Sequence, residues 1–190
     1  MKNILLSLGA FGVLLTPLFA EDYKLPKKNP LFSISFPDKW TVTHEDESVD
    51  AVTEDESIQL NAQTDDAETL EASISESIDY LTKAGVKIKE DSKKDNEGEI
   101  NGMKVGGVNW DATDEDGECR VSLSFINIGS GKVITLLYWG SNEAEKKHAK
   151  ELEGIISSMK MLKGAKADEK ADEKEEKEEK DDKEDKDDDK

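Results

Sequence analysis

The sequence predicts a single domain of the α/β class (α+β type), in which helices cover both faces of a mainly antiparallel β-sheet. Phe32, Ile34 and Phe36 alternate with serines, which is the period of a strand with one buried face. Lys132–Trp139 is apolar at nearly every position, which is typical of a central strand covered on both faces. Asn101-Gly102 is a strong signal for a two-residue turn between antiparallel strands.

Further strands follow from alternation and from turn residues. They are predicted at Ser57–Gln63, Val86–Lys89, Glu97–Ile100, Met103–Trp110 and Arg120–Ile128. Pro37 ends the first strand because it cannot donate to a β-ladder, and Thr41–Thr43 can extend the chain beyond Trp40. Glu45–Glu56 is interpreted as a loop or a short edge strand. Gly106-Gly107 predicts a bulge or the close approach of a helix.

Two helices are expected. The first spans Asp65–Ala84, with Asp66 as its N-cap and Gly85 as its C-terminal stop. Its apolar stripe consists of Leu70, Ile74, Ile78 and Leu81. The last helix opens with a capping-box pattern at Asn142–Glu145. Its stripe consists of Ala144, His148, Leu152, Ile155, Ile156 and Met159. Such stripes normally contact the core, so neither predicts a cofactor groove.

The opening strand also carries a family resemblance. The pattern Phe32-x-Ile34-x-Phe36-Pro37-x-x-Trp40, with the later order of helix, antiparallel strands and helix, resembles the Mog/PsbP-like superfamily. This superfamily includes the extrinsic PsbP subunit of photosystem II, the Mog-type Ran-binding proteins and many exported bacterial proteins. The resemblance covers residues 31–162. It implies an antiparallel sheet covered by helices, and it implies no single activity because the members do different jobs.

The two ends differ in composition from the rest of the chain. Residues 1–20 have the layout of a secretory signal, with Lys2 before the apolar Ile4–Leu15 and cleavage expected after Ala20. We therefore expect export to the periplasm or the extracellular space, without membrane insertion after cleavage. Residues 21–30 are interpreted as an extended lead-in, and residues 163–190 as a disordered tail rich in Lys, Asp and Glu.

The charge of the chain argues against some classes of partner. The formal net charge is −19, and Arg120 is the only arginine among 26 basic residues. Arginine is the usual residue for bidentate phosphate recognition, and an acidic surface repels phosphates. Nucleic acid and anionic lipid are therefore not expected as partners, whereas a protein partner is.

Five features of the sequence are candidates for a chemical role: two loop motifs, two histidines and one cysteine. Asp111–Gly117 lacks EF-hand ligands at positions one and twelve, which are Ala112 and Leu123, so it predicts a hairpin tip. Gly129–Lys132 lacks the first Gly of a phosphate loop, which would stand at Ile126, and has Val133 in place of Ser or Thr, so it predicts a turn. His44 is expected to be solvated, His148 to be packed and hydrogen-bonded, and Cys119 to be a half-buried strand residue. No catalytic, cofactor-binding or metal-binding residue is assigned, and no partner-binding residue can be named.

The leading functional hypothesis is an exported, non-enzymatic accessory or protein-binding module that needs no cofactor. Two alternatives stay open. The first is an envelope enzyme that uses a carboxylate pair which the sequence does not single out. The second is an acidic protein that buffers calcium weakly without a dedicated site.

Overall fold

The computed structural model describes residues 19–163, which form one domain with eleven β-strands and three α-helices. The strands are β1 (Phe19–Leu25), β2 (Phe32–Pro37), β3 (Thr41–His44), β4 (Ser48–Val52), β5 (Ile58–Asp66), β6 (Lys87–Ile88), β7 (Lys94–Ile100), β8 (Met103–Asp114), β9 (Gly117–Gly129), β10 (Lys132–Gly140) and β11 (Lys160–Met161). The helices are α1 (Leu70–Lys83), α2 (Asn142–Lys147) and α3 (Ala149–Ser158). Residues 1–18 of the predicted signal and residues 164–190 of the predicted tail lie outside the described residues.

The strands form two sheets, and all pairings are antiparallel. The large sheet has the order β3-β4-β5-β10-β9-β8-β6, and β7 also pairs with β8. The small sheet has the order β1-β2-β11. Since β10 has three strands on each side in that order, it is the central strand of the large sheet, as the sequence predicts.

Different elements cover the two faces of the large sheet. The front face carries Leu60, Ile134 and Leu136, which share one apolar cluster with Phe32 of β2 and Ile155 of α3. The back face carries Val121, Leu123 and Leu137, which share a second cluster with Leu81 of α1. The small sheet and α3 therefore cover the front, and α1 covers the back. This arrangement confirms the predicted α+β class with helices on both faces. None of the helices in residues 19–163 is long and apolar enough to cross a membrane.

The local turn chemistry agrees with the sequence. Asn101 and Gly102 both have positive φ, at 50° and 82°, which is the conformation that a type I′ hairpin turn requires. Gly85 has φ 86° directly after α1, where a left-handed residue ends a helix.

The region before β2 differs from the prediction. Phe19–Leu25 is a strand that pairs along β2, whereas the sequence predicts an extended lead-in for residues 21–30. Leu25 is fully buried, and its burial anchors β1 to the core. The prediction of one buried face for β2 is also wrong, because Ser33 and Ser35 are buried as well. Ser35 donates its hydroxyl to Asp22 of β1 at 2.5 Å, so the polar face of β2 is covered too.

Several predicted boundaries shift. β5 continues to Asp66, and α1 begins only at Leu70, so Asp66 makes no side-chain cap. β4 lies inside the large sheet between β3 and β5, where a loop or an edge strand was expected. The last helix is divided at His148 into α2 and α3. Ser141 caps α2 by accepting from the Ala144 N–H at 3.1 Å, in place of Asn142.

The sequence predicts a bulge or the close approach of a helix at Gly106-Gly107, but neither explains the need for glycine there. The pairing of β8 with β9 continues through both residues without a shift in register. A Cβ at Gly107 would lie 2.5 Å from the carbonyl oxygen of Leu123 on β9. The neighbouring strand, and not a helix, excludes a side chain at this position.

Candidate functional site

An apolar groove opens on the front face of the large sheet, between the sheet and the α2–α3 segment. Its volume is about 280 Å³. Leu136 and Tyr138 of β10 line it from the sheet, and Leu152 and Ile156 line it from α3. Its other lining residues are Leu60, Ile100, Asn109, Arg120, Ser122, Ser124, Glu145 and Met159. Ile156 is 45% exposed, so an apolar side chain at this groove remains in contact with solvent.

The groove exists because the middle of the front face carries small side chains. Ser122 and Ser124 of β9 point to the same side as Leu136, since residues two apart share a face of a strand. Gly107, which pairs with Ser124, has no side chain at all. These small residues leave the space between helix α3 and the sheet partly open beside Leu136 and Tyr138.

Polar groups form one end of the groove. Arg120 donates to Glu145 Oε2 at 3.1 Å and to Asn142 Oδ1 at 3.3 Å. The Tyr138 hydroxyl is buried, and it has no hydrogen-bond partner among residues 19–163. Burial, together with the nearby Glu145 carboxylate, raises the pKa of Tyr138 above its ordinary value of 10.0. The hydroxyl therefore stays neutral across the physiological range.

A second polar assembly, the carboxylate–histidine cluster of Asp55, His148, Glu151, Trp40 and Lys39, lies beside the small sheet. His148 is buried, and its two ring nitrogens face different carboxylates: Nδ1 is 3.2 Å from Glu151 Oε2 and Nε2 is 3.4 Å from Asp55. Trp40 donates its indole N–H to Glu151 Oε2 at 2.7 Å, and Lys39 pairs with Glu151 Oε1 at 2.5 Å. The cluster joins α3 to the turns after β2 and β4.

The electrostatics of this cluster favour ionised carboxylates. Hydrogen bonds from Lys147 first and from Ser57 second hold the pKa of Asp55 well below its ordinary value of 3.8. Burial alone would raise the pKa of Glu151. The hydrogen bonds from Lys39 and from the Trp40 indole outweigh burial, so that pKa lies below 4.5.

The geometry of His148 fits the prediction of a packed, hydrogen-bonded histidine. In a serine or cysteine hydrolase, one ring nitrogen meets a carboxylate and the other meets the nucleophile. Here both nitrogens meet carboxylates, so His148 has no ring nitrogen left for a nucleophile. The cluster stabilises the attachment of α3 and offers no acyl-transfer chemistry.

The two loop motifs are turns. Asp114 Oδ1 accepts from the backbone N–H groups of Asp116 at 3.0 Å and Gly117 at 3.1 Å, which fixes the tip between β8 and β9. Gly129–Gly131 joins β9 to β10, and Lys132 pairs with Asp66 at 2.8 Å. In residues 19–163 no group of three or more His, Cys, Asp or Glu side chains could hold a metal ion.

His44 and Cys119 are less exposed than the sequence suggests. His44 donates from Nε2 to the Lys24 carbonyl at 3.1 Å, and its ring lies edge-on to Tyr23 with centroids 5.4 Å apart. His44 is therefore half-buried instead of fully solvated, because β1 packs against it. Cys119 is buried, and burial together with Asp114 raises its pKa to about 12. Such a thiol is unreactive at neutral pH.

The fold has known counterparts among solved structures. The solution structure of the cyanobacterial PsbP protein of Synechocystis is similar at a TM-score of 0.50 and 11% identity, covering 82% of this chain and 99% of that protein. The fold is PsbP-like. Neither a family model nor a curated protein matches the sequence. The predicted resemblance is thus confirmed at the level of the fold.

Two further solved structures are similar at lower TM-scores. LpqN of Mycobacterium tuberculosis, which is described as involved in cell envelope biogenesis, has a TM-score of 0.46 and 12% identity over 75% of this chain and 91% of its own. A protein of Bacteroides thetaiotaomicron has a TM-score of 0.46 and 15% identity over 70% of this chain. The present chain spans 46% of that protein.

The residues that line the groove are not recognisable from the sequence, because they come together only in the fold. Its walls come from β5, β7, β8, β9, β10, α2 and α3, several of which are far apart in the chain. One signal was present: Ile155 and Ile156 are adjacent, and two neighbouring positions cannot both point to the centre of one core face of a helix. Ile155 is fully buried and Ile156 is the exposed one.

Proposed function

We propose that this chain is an exported, non-enzymatic accessory module that binds a protein partner through the apolar groove. The observation that carries the proposal is Ile156, which is 45% exposed beside Leu152, Leu136 and Tyr138. Covering apolar surface stabilises a complex by roughly 25 cal/mol per Å². A partner side chain that fills the groove would gain this contribution without a rearrangement of the fold.

The chemistry of the groove defines the partner segment. An aliphatic side chain fits between Leu152 and Leu136. The chain has a net charge of −19, so basic residues that flank the aliphatic side chain would speed association. The proposed partner thus presents an aliphatic anchor with Lys or Arg on either side.

Export rests on the layout of residues 1–20, where a basic residue precedes an apolar segment and a small residue ends it. The proposed place of action is therefore the periplasm or the extracellular space. An enzyme built on His148 or Cys119 has less support, since His148 faces two carboxylates and Cys119 has a raised pKa.

The test is site-specific photocrosslinking in the envelope fraction of the source cells. A photoreactive residue replaces Ile156 in one variant and Lys150 in a matched variant, since Lys150 is exposed on the same helix but six positions away, on another side. We expect one protein partner to be captured at position 156 and not at position 150. Equal capture at both positions, or none at 156, would contradict the proposal.

A further inference from the structure

A second concave site, the polar cavity, lies on the back face of the large sheet beneath α1. Its volume is about 280 Å³. Asp50, Asn61, Gln63 and Asp65 line it from β4 and β5, and Glu76 and Tyr80 line it from α1. The apolar groove lies on the front face, so the sheet separates the two sites.

The two amides of the polar cavity each donate one N–H to a carboxylate, and the carboxylates keep spare acceptors. Asn61 donates an N–H to Asp50 Oδ1, and Gln63 donates an N–H to Asp65 Oδ1, both at 2.9 Å. Thr135 donates its hydroxyl to Asp65 Oδ2 at 2.6 Å. Each carboxylate has about four acceptor sites, so most of the acceptor capacity of Asp50 and Asp65 remains open. A ligand rich in donors complements these open acceptors.

The negative charge of the cavity also favours a ligand rich in donors. No basic side chain lines the cavity. Among residues 19–163, none of Asp50, Asp65 and Glu76 forms an ion pair. Asp65 is only 8% exposed, and its hydrogen-bond partners are neutral. Lys132 acts electrostatically on Asp65 but is paired with Asp66 at 2.8 Å, so Asp65 itself has no ion-pair partner among residues 19–163. A carboxylate this buried is costly, and a bound cation would offset that cost.

The aromatic side chain at the mouth of the cavity is suited to a cation. Tyr80 is 45% exposed, and its hydroxyl is held by the Gln59 amide at 2.8 Å. The Trp139 ring packs edge-on to it with centroids 5.9 Å apart, so the Tyr80 ring is fixed in place. The face of such a ring attracts an ammonium group.

We propose that the polar cavity binds a compact organic cation, an alkylammonium group, with Asp50 and Asp65 as acceptors and Tyr80 as the aromatic contact. An ammonium group offers three donors and no acceptor, which matches the open acceptors of the cavity. The group can belong to a free amine or to a lysine side chain of another protein, and the experiment below distinguishes the two. This site is independent of the protein-binding role proposed for the apolar groove.

The test is isothermal titration of the protein at physiological salt, where nonspecific attraction to an acidic surface is screened. Two probes are used, spermidine and a short acetylated, amidated peptide with one lysine. The variants are Asp50→Asn and Glu76→Gln within the cavity. Glu97→Gln on β7 is the matched control, because it removes the same charge from an exposed position outside the cavity. Melting temperatures establish that each variant folds.

We expect one-to-one binding of at least one probe to the wild type, about tenfold weaker binding to each cavity variant and nearly unchanged binding to Glu97→Gln. Binding of spermidine alone identifies a free amine as the ligand, and binding of the peptide identifies a lysine side chain. Equal weakening in the cavity and control variants would mean general charge attraction and would overturn the proposal. Several weak sites, or no binding of either probe, would overturn it as well.

Discussion

The two leucines at the centre of β10 test the architecture from both faces with one chemical change. Leu136 faces the front cluster and the apolar groove, and Leu137 faces the back cluster beneath α1. They are 8% and 3% exposed. Replacement of either leucine by alanine alters the same strand by the same side-chain atoms, so any difference between the variants reports on the surroundings.

The expected magnitudes follow from burial and from the space left behind. Truncation of leucine to alanine removes three carbons, worth about 2.4 kcal/mol at about 0.8 kcal/mol per buried carbon group. For Leu137→Ala an enclosed cavity adds a further cost, and we expect a loss of about 3–5 kcal/mol in the free energy of unfolding. For Leu136→Ala the new space opens into the groove, so we expect only about 2–3 kcal/mol.

The assay is urea unfolding of the two variants and the wild type, followed by tryptophan fluorescence. The slope of the unfolding transition should stay constant, which would show that the comparison concerns the folded state. The reasoning is refuted if Leu137→Ala costs less than about 1 kcal/mol, because a residue on a covered central strand cannot be so tolerant. It also fails if Leu136→Ala proves the more damaging of the two.

Three further predictions concern pH and the two ends of the chain. The folded pKa values of Asp55 and Glu151 lie below their ordinary values, so the stabilisation from these groups is complete above about pH 4–5 and is lost as the pH falls through the folded values. Melting temperatures measured from pH 7 to pH 3 should therefore fall in acid. In Glu151→Gln this fall should be smaller, and a fall as large as in the wild type would contradict the prediction. Truncation after Gly164 should leave the melting temperature nearly unchanged, because the hydrogen bond from the Leu162 N–H to the Leu31 carbonyl at 2.8 Å is kept. A large drop of the melting temperature in calorimetry would contradict this. Intact mass of the native protein should place its first residue at Glu21, and a mass that retains residues 1–20 would rule out signal cleavage.

Local patterns predicted the parts of the fold that neighbouring residues determine. The turn at Asn101-Gly102 and the helix end at Gly85 depend on positive φ, which a single residue type reveals. Strand β10 was placed correctly because a strand covered on both faces must be apolar on both. Long-range packing was not predictable in this way. Ser33 and Ser35 are buried because β1 and α3 cover them, and no pattern within β2 carries that information.

The candidate sites illustrate the same limit. Leu152 and Ile156 were assigned to a core stripe from their spacing, yet small residues on β8 and β9 leave them at an open groove. The polar cavity depends on Asp65, which was assigned to the start of a helix and instead lies on β5. A strand places its carboxylate on the same face as Gln63 and Asn61, whereas a helix would have separated them.

The most direct test of the proposed function is the affinity of the captured partner for three forms of the protein. The wild type is compared with Ile156→Asp and with Ala72→Asp, which adds the same charge at an exposed position on α1, on the opposite face. Both variants should fold, since both positions are exposed. We predict that Ile156→Asp raises the dissociation constant about tenfold or more, equivalent to about 1.4 kcal/mol, and that Ala72→Asp changes it little. An unchanged dissociation constant in Ile156→Asp, or an equal loss in both variants, would contradict the assignment of the apolar groove as the partner-binding site.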